Sequence, residues 1–322
     1  MTRFAAAILL LFTLPFAAAP VIELPQQPVL RFIVTGDAGA SHSAIREGML
    51  AVSRRTHLDG ILLVGDNFYP CGVSGLSDPQ WTKITEHFGP THLPIYPILG
   101  NHDYGDQQEH RDGSYSACGN PDAGSEIKAT GKVRDWHFPA RHYVMHSPLA
   151  EFVMLDTQPV ALAFAKPVSG SSTAAEEVAW LTGTLDKPST ARWRIVAGHH
   201  TIYSSGMHGR TNDPTQQRMR ALLPLLRNDH VDLYICGHDH DLELIGDLHP
   251  SGEPLFLISG AGSGTDVMKP RKAAGEPPTI WSPLPGKPTL GFAVLEIASN
   301  ELSITFYDKA GTQTAGPFTT RK

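Results

Sequence analysis

The nine residues from Ile61 to Tyr69, ILLVGDNFY, carry a run of apolar residues into a glycine and then into side chains that can bind a metal. Four apolar residues that end at a glycine are typical of a buried strand. In an open α/β sheet, functional side chains gather outside the carboxyl ends of the strands. The segment therefore predicts such a sheet, with Asp66 and Tyr69 at its functional edge.

The same arrangement recurs elsewhere in the chain. Each time, a predicted strand ends at a glycine that is followed by carboxylate, amide or imidazole groups. The strands are Leu30–Thr35, Ile95–Leu99, Trp193–Ala197 and Val231–Cys236, and the segments after them are Gly36–Gly39, Gly100–Asp103, Gly198–His200 and Gly237–His240. A single Gly-Asp or Gly-His pair is more often a turn than a ligand. Several such ends together, rich in oxygen and nitrogen donors, indicate a hydrolase with two metal ions.

The composition narrows the class of protein. The 322 residues are enough for one large α/β domain or two small ones, and no internal repeat or change in composition divides them, so we expect a single domain. The net charge of -6 and the absence of a run of lysine or arginine do not indicate a nucleic-acid-binding surface. Sixteen histidines against three cysteines favour imidazole ligands over thiolate ligands.

Strand and helix signals alternate along most of the chain, which predicts an α/β (α+β) fold. A further strand is predicted at Glu151–Asp156, and an antiparallel hairpin of Phe292–Ile297 and Leu302–Tyr307 closes the chain. Irregular loops are predicted at Tyr104–Lys132 and Thr157–Thr173. Helices are predicted at Ser43–Arg55, Trp81–Phe88, Ala174–Leu185 and Thr215–Asn228, the last with a kink at Pro224.

Residues 1–19 predict a secretory signal peptide. Arg3 precedes an apolar stretch at residues 5–16 that is too short to span a bilayer, and Ala17–Ala19 supply small residues for cleavage. A short buried helix or an uncleaved anchor is the alternative, and Pro20 leaves the cleavage position open. No cysteine lies near this segment, so we expect no stable membrane anchor. The protein is therefore predicted to be secreted or periplasmic.

Export would allow disulfide bonds. Cys71 and Cys118 lie in polar segments that resemble loops, whereas Cys236 ends an apolar run. We expect a Cys71–Cys118 bridge and a free, buried Cys236. Three free cysteines are the alternative.

The donor residues suggest how two metals would be shared. A metal pair needs a carboxylate that bridges, and Asp66 is the best candidate, while the other ligands are Asp37, Asn101, His199, His238 and His240. The first motif has Gly39 where many two-metal phosphoesterases carry a histidine, and Tyr69 could fill that place as a phenolate. A phenol ionises only beside a strongly polarising ion. Anionic oxygen donors suit trivalent iron, and the Asn/His/His set suits a divalent ion.

These motifs, in this order from about Leu30 to the final strands, resemble those of the purple acid phosphatases, and the small tartrate-resistant type most closely. The resemblance implies a four-layer α/β/β/α metallophosphoesterase sandwich in a single catalytic domain over residues 28–322. It implies an Fe(III) site of Asp37, Tyr69 and His240, a divalent site (Fe(II), Zn or Mn) of Asn101, His199 and His238, and Asp66 as the bridge. The implied activity is acid hydrolysis of small phosphate monoesters by a metal-bound hydroxide, with inorganic phosphate as product.

Two histidines are candidate catalytic residues. His102 would bind the substrate phosphate, and His208 matches a family histidine near the phosphate; either could donate a proton to the leaving group. Animal relatives carry a glutamate where this chain has Met207, which leaves the donor open. Asp103, Asp239 and Asp241 are expected to orient imidazoles or cap turns. The rival hypotheses are a phosphodiesterase or nucleotidase with the same metals, and an iron-carrying or redox protein. We expect a monomer.

Overall fold

The computed structural model describes residues 19–105, 108–109, 115–116, 118, 121–163, 171–209, 213–249, 252–266, 268–269, 275–283 and 287–322. The predicted signal peptide, apart from Ala19, lies outside the described residues, as do parts of both predicted loops. Among the described residues, no helix combines the length and the apolar composition that crossing a bilayer requires.

Strands and helices alternate through the first two thirds of the chain, and strands dominate the last third. The strands, numbered in chain order, are β1 (Val21–Glu23), β2 (Val29–Thr35), β3 (Gly60–Val64), β4 (Ile95–Ile98), β5 (Gln108–Glu109), β6 (Tyr115–Ser116), β7 (Tyr143–His146), β8 (Ala150–Met154), β9 (Trp193–Ala197), β10 (Leu233–Cys236), β11 (Leu242–Ile245), β12 (Leu255–Ser259), β13 (Thr279–Trp281), β14 (Gly291–Ala298), β15 (Glu301–Asp308) and β16 (Gln313–Arg321). The helices are α1 (Arg46–Ser53), α2 (Trp81–His87), α3 (Ala123–Lys128), α4 (Gln158–Ala161), α5 (Ala174–Leu185), α6 (Pro214–Arg220) and α7 (Leu223–Asn228).

Two mixed sheets form the centre of the molecule. The eight-stranded sheet has the order β1-β7-β8-β9-β10-β12-β11-β13, and the six-stranded sheet has the order β16-β15-β14-β2-β3-β4. The sheets pack on each other, since the rings of Phe32 on β2 and Phe152 on β8 are 5.3 Å apart. The Trp193 indole on β9 also donates a hydrogen bond of 2.7 Å to the carbonyl of Ala298 on β14.

Alternate side chains of the eight-stranded sheet enter two different cores. In β10, Leu233 and Ile235 belong to the core shared with the six-stranded sheet, whereas Tyr234 and Cys236 belong to a second core that includes Leu226 of α7. This alternation follows from the period of two along a strand. Helices α5–α7 thus cover the outer face of the eight-stranded sheet, while α1 and α2 pack with the six-stranded sheet. The predicted four-layer α/β/β/α sandwich in one domain is confirmed.

Several local predictions needed correction. The predicted helix Thr215–Asn228 is two helices, because the chain leaves α6 after Arg220 and starts α7 at Leu223. Pro224 stands in the first turn of α7, where a missing N–H costs no hydrogen bond, so it begins a helix instead of kinking one. The strand predicted at Glu151–Asp156 ends at Met154. The predicted loops contain the short helices α3 and α4 and the two-residue strands β5 and β6. Strands β1, β7, β11–β13 and β16 were not predicted either.

The cysteine prediction is confirmed. Cys71 and Cys118 form a disulfide with their Cα atoms 5.4 Å apart, and Cys236 is free and buried. The domain boundary at residue 28 stays a prediction. Ahead of it, Val21–Glu23 of β1 pair in parallel with Val144–His146 of β7.

Candidate metal centre

The candidate donors follow strands that run in parallel. In the six-stranded sheet, β3 pairs in parallel with β2 and β4, and in the eight-stranded sheet β9 pairs in parallel with β10. Asp37 and Asp66 follow β2 and β3, Asn101 follows β4, and His199 and His238 follow β9 and β10. The carboxyl ends of parallel strands meet at one edge of a sheet. Because the two sheets pack face to face, both supply donors to the same place.

The backbone is strained at three donors. Asp37, Asp66 and His238 have φ angles of 57°, 54° and 70°, in the left-handed region that residues other than glycine rarely adopt. Such positions cost about 1–3 kcal/mol each and concentrate at functional sites. A glycine lets two of these segments approach each other, because a Cβ atom at Gly100 would lie 2.2 Å from Asp66 Oδ1.

The first group of donors surrounds the phenol of Tyr69. The Tyr69 Oη atom lies 2.8 Å from Asp66 Oδ2, 3.1 Å from Asp37 Oδ1 and 3.0 Å from His240 Nε2. Asp37 Oδ1 is 3.4 Å from His240 Nε2. One phenolic hydrogen cannot be donated to two carboxylates at once. This crowding of acceptors is what a cation between them would resolve.

The second group surrounds the amide of Asn101. Asn101 Oδ1 lies 3.1 Å from His199 Nε2 and 3.0 Å from His238 Nδ1, and the two ring nitrogens are 3.3 Å apart. Asp66 Oδ1 is 3.4 Å from His199 Nε2. The two oxygens of Asp66 therefore face one donor group each, the arrangement that a bridging carboxylate requires.

The spacing and burial of these atoms fit a pair of metal ions. Ligands about 2.1 Å from one octahedral ion lie about 3.0 Å from one another, close to the separations within each group. Asp37, Asp66 and His199 are buried, and each offers a ligand atom within 4.8 Å of the others. Buried carboxylates need a compensating charge. The donor set therefore suits two cations held side by side.

The electrostatics of the site without metals support the same conclusion. Burial raises the pKa of Tyr69 far above its usual value, and Asp37 and Asp66 raise it further, so only a strongly polarising cation would make it a phenolate. Burial opposes a charge on His199, yet the Asp66 carboxylate raises the pKa of that imidazole to about 10. A proton on His199 thus occupies the place where a cation would bind. Burial, together with neighbouring histidines, lowers the pKa of His238 well below its usual value and keeps this donor neutral.

Comparison with known proteins identifies the family. Residues 30–242 match the family model described as calcineurin-like phosphoesterase. The chain is 33% identical over 301 residues to purple acid phosphatase 7 of Arabidopsis thaliana, and the alignment covers 88% of this chain and 83% of the relative. The chain belongs to the purple acid phosphatase family of calcineurin-like phosphoesterases.

One further relative and one solved structure are similar to this chain. The chain is 29% identical over 313 residues to tartrate-resistant acid phosphatase type 5 of Homo sapiens, covering 88% of this chain and 89% of the relative. Among solved structures, GAP50, the anchor in the inner membrane complex of Plasmodium, superposes with a TM-score of 0.70 at 23% identity, covering 92% of this chain and 90% of that one. The second comparison shows a shared fold.

In this purple acid phosphatase family member, the two candidate catalytic histidines lie on different sides of the donor groups. His102 packs on Tyr69 with ring centres 4.1 Å apart, and its Nε2 is 3.9 Å from Asp66 Oδ2. His208 packs on His238, also with ring centres 4.1 Å apart. Both are therefore near the metal donors but on separate groups. Met207 is 48% exposed.

Two further carboxylates hold the donor segments in place by accepting hydrogen bonds from backbone N–H groups. The Asp103 carboxylate accepts from the N–H groups of Asn67, Phe68 and Gly100 at 3.1, 3.0 and 2.8 Å, which ties the Asp66 segment to the Asn101 segment. Asp103 therefore binds backbone N–H groups. The sequence had suggested that it would either orient an imidazole or cap a turn. Asp239 similarly accepts from the N–H of His208 at 2.8 Å.

Thr157 is a contributor that the sequence reasoning missed. Its Oγ1 accepts from the N–H groups of His199 and His200, both at 3.1 Å, and lies 2.8 Å from His200 Nδ1. The ring of His199 is oriented separately, because its Nδ1 donates to the carbonyl of Val64 at 2.9 Å. That bond leaves Nε2 to face Asn101 and Asp66. One signal for Thr157 in the sequence was its place just after a predicted strand.

Proposed function

We propose that this protein is an acid phosphatase that hydrolyses small phosphate monoesters and releases inorganic phosphate, with Fe(III) and a divalent ion (Fe(II), Zn or Mn) as cofactors. The observation that carries the proposal is the contact of one phenol oxygen with Asp37, Asp66 and His240. Hard anionic oxygens suit trivalent iron, and the amide and imidazole donors of Asn101, His199 and His238 suit a divalent ion. When bound, the metal pair would supply an activated water and the positive charge that binds phosphoryl oxygens.

His102 is placed to hold the phosphate. Its backbone N–H donates to Asp66 Oδ1 at 2.8 Å, and its Nδ1 donates to the Pro70 carbonyl at 2.7 Å. A carbonyl can only accept, so the Nδ1 hydrogen is committed and Nε2 faces the donor groups. A hydrogen on Nε2 as well requires the charged imidazolium. With that hydrogen, His102 Nε2 would donate to a phosphate oxygen.

His208 is the better candidate to protonate the leaving oxygen. Its Nδ1 lies 3.6 Å from Asp213 Oδ2, whereas Nδ1 of His102 contacts a neutral carbonyl, and the carboxylate near its Nε2, Asp66 at 3.9 Å, is one of the proposed metal donors. Burial opposes a charge on His208, but Asp213 and Asp239 raise the pKa of its ring. A carboxylate beside an imidazole holds a proton on it in acidic solution. Because Met207 has no carboxylate, Asp213 supplies the negative charge next to His208.

The names of the relatives and the N-terminal sequence support the rest of the proposal. The Arabidopsis and human relatives are named acid phosphatases. The predicted signal and the Cys71–Cys118 disulfide are consistent with a secreted or periplasmic protein, since disulfides persist in oxidising compartments. We propose a monomer without a nucleic-acid partner.

A substrate comparison tests the proposed activity. Purified protein loaded with iron and zinc should hydrolyse p-nitrophenyl phosphate faster than bis(p-nitrophenyl) phosphate at acidic pH. Faster hydrolysis of the diester would favour a phosphodiesterase. No hydrolysis of either ester, together with release of iron on mild reduction and dialysis, would favour an iron-carrying protein.

A further inference from the structure

A disulfide joins the segment after Tyr69 to the segment after His102. Cys71 and Cys118 are 47 residues apart in sequence, and the loop that their bond closes contains β4, Asn101 and His102. The bond therefore links the surroundings of one candidate metal donor to those of a candidate phosphate-binding residue.

The carbonyl of Pro70 is where these surroundings meet. It accepts the Nδ1 hydrogen of His102 at 2.7 Å, and the Sγ atom of Cys118 lies 3.3 Å from the same oxygen. The N–H of Cys118 also donates to the carbonyl of Gly105 at 2.6 Å, at the end of the turn that begins at His102. Pro70 lies between Tyr69 and Cys71, so the disulfide limits the movement of this carbonyl.

The two segments are in close contact. A Cβ atom at Gly72 would lie 2.6 Å from the carbonyl oxygen of Asp103, and Gly72 has a φ of +66°. Only a glycine allows the backbone to approach so closely in this conformation. The Lys83 ammonium donates to the carbonyl of Tyr69 at 2.8 Å on the helix α2 side.

We propose that the Cys71–Cys118 disulfide is a positioning element for phosphate binding: it holds the Pro70 carbonyl against His102 Nδ1 and so directs His102 Nε2 to the donor groups. The inference rests on the proposed function, because it needs phosphate to bind beside His102. Without the bond, the Pro70 carbonyl can turn away and the His102 ring can rotate. The bond takes part in no redox step.

A double-mutant cycle tests this proposal with inorganic phosphate as the probe. The four proteins are the wild type, the Cys71→Ser/Cys118→Ser variant, His102→Ala, and the triple variant, each loaded with zinc and checked for metal content. In the protein that retains His102, breaking the disulfide should raise the dissociation constant for phosphate about tenfold. This corresponds to a loss of about 1.4 kcal/mol of binding free energy. In the His102→Ala background the same change should alter it by less than about twofold, since the bond acts through His102.

The proposal would be overturned if breaking the disulfide weakened phosphate binding equally with and without His102, or weakened it in neither case. A disulfide with a purely structural role would not need the His102 ring for its effect on phosphate binding. Ser74→Ala is the matched control, since Ser74 lies in the same loop and forms an exposed hydrogen bond with Asp78. It should leave phosphate binding unchanged.

A second route covers the case in which the serine variant fails to fold. The folded, zinc-loaded wild type and His102→Ala proteins are reduced with a phosphine and alkylated, and the same four dissociation constants are compared. If the wild type binds no phosphate and no metal, the proposed function fails. If it binds both but the cycle is additive, only the positioning role fails.

Discussion

The buried His87 is expected to make the protein less stable as the pH falls. His87 ends α2, is 1% exposed and stacks on Phe88 with ring centres 4.5 Å apart. Its Nδ1 donates to the carbonyl of Ser41 at 3.2 Å, and its Nε2 accepts from the N–H of Ile45 at 3.4 Å. Both contacts suit a neutral ring. Burial lowers the pKa of His87 to about 4.

The sign and size of the effect follow from proton linkage. The unfolded chain takes up a proton near pH 6.5, whereas the folded chain does so only near pH 4. Between these values the unfolded state binds more protons, so stability is full above pH 6.5 and is lost as the pH falls toward 4. At about pH 5 the loss is about 2 kcal/mol, and it approaches about 3.4 kcal/mol below about pH 4.

The assay is denaturant unfolding of the wild type and His87→Gln at about pH 5 and about pH 7.5. Glutamine keeps a polar side chain but does not titrate. The stability of the variant relative to the wild type should therefore improve by about 2 kcal/mol on going to the acidic pH. Thr85→Ala, on the same helix, removes no titratable group; it is the control and should differ from the wild type equally at both pH values. A His87→Gln difference that does not change with pH would refute the reasoning.

Substitutions at three further residues test how the donor segments are held. Asp66→Ala should abolish binding of both metals, because its two oxygens face both donor groups; retention of either ion in metal analysis would contradict this. Asp103→Asn places an amide where a carboxylate accepts buried N–H groups, and should lower the free energy of unfolding by about 1–3 kcal/mol. An unchanged denaturant midpoint for Asp103→Asn would contradict this prediction. Thr157→Val leaves the N–H groups of His199 and His200 without an acceptor and should lower the free energy of unfolding by about 2–4 kcal/mol. Thr157→Ser keeps the hydroxyl and should be about as stable as the wild type. Metal retention during dialysis against a chelator should follow the same order, and equal retention in both variants would argue against a role for the hydroxyl.

The strands that end at the candidate site were predictable because their signals are local. In Ile61–Val64 and Trp193–Ala197, a short apolar run and the glycine after it lie within a few residues of each other. A short apolar run did not distinguish every strand. Leu255–Ser259 pairs with Leu233–Cys236 and Leu242–Ile245, and so short an apolar run could equally be part of a buried helix.

The candidate donor residues were recognisable in the sequence for the same reason, and the residues that hold them were not. Asp37, Asp66 and His238 directly follow glycines at strand ends. Asp103 and Thr157 act on backbone N–H groups of segments 36 and 42 residues away, and only the folded chain brings these groups within hydrogen-bonding distance. No local pattern marks such a partner.

Metal content and the visible spectrum of aerobically purified protein, measured for the wild type and Tyr69→Phe, test the central claim most directly. The expected result is one iron and one divalent ion per chain, with a broad visible band that is lost in Tyr69→Phe because the phenolate is bound to Fe(III). A colourless wild type with two zinc or manganese ions, or a Tyr69→Phe variant that keeps the band, would contradict it.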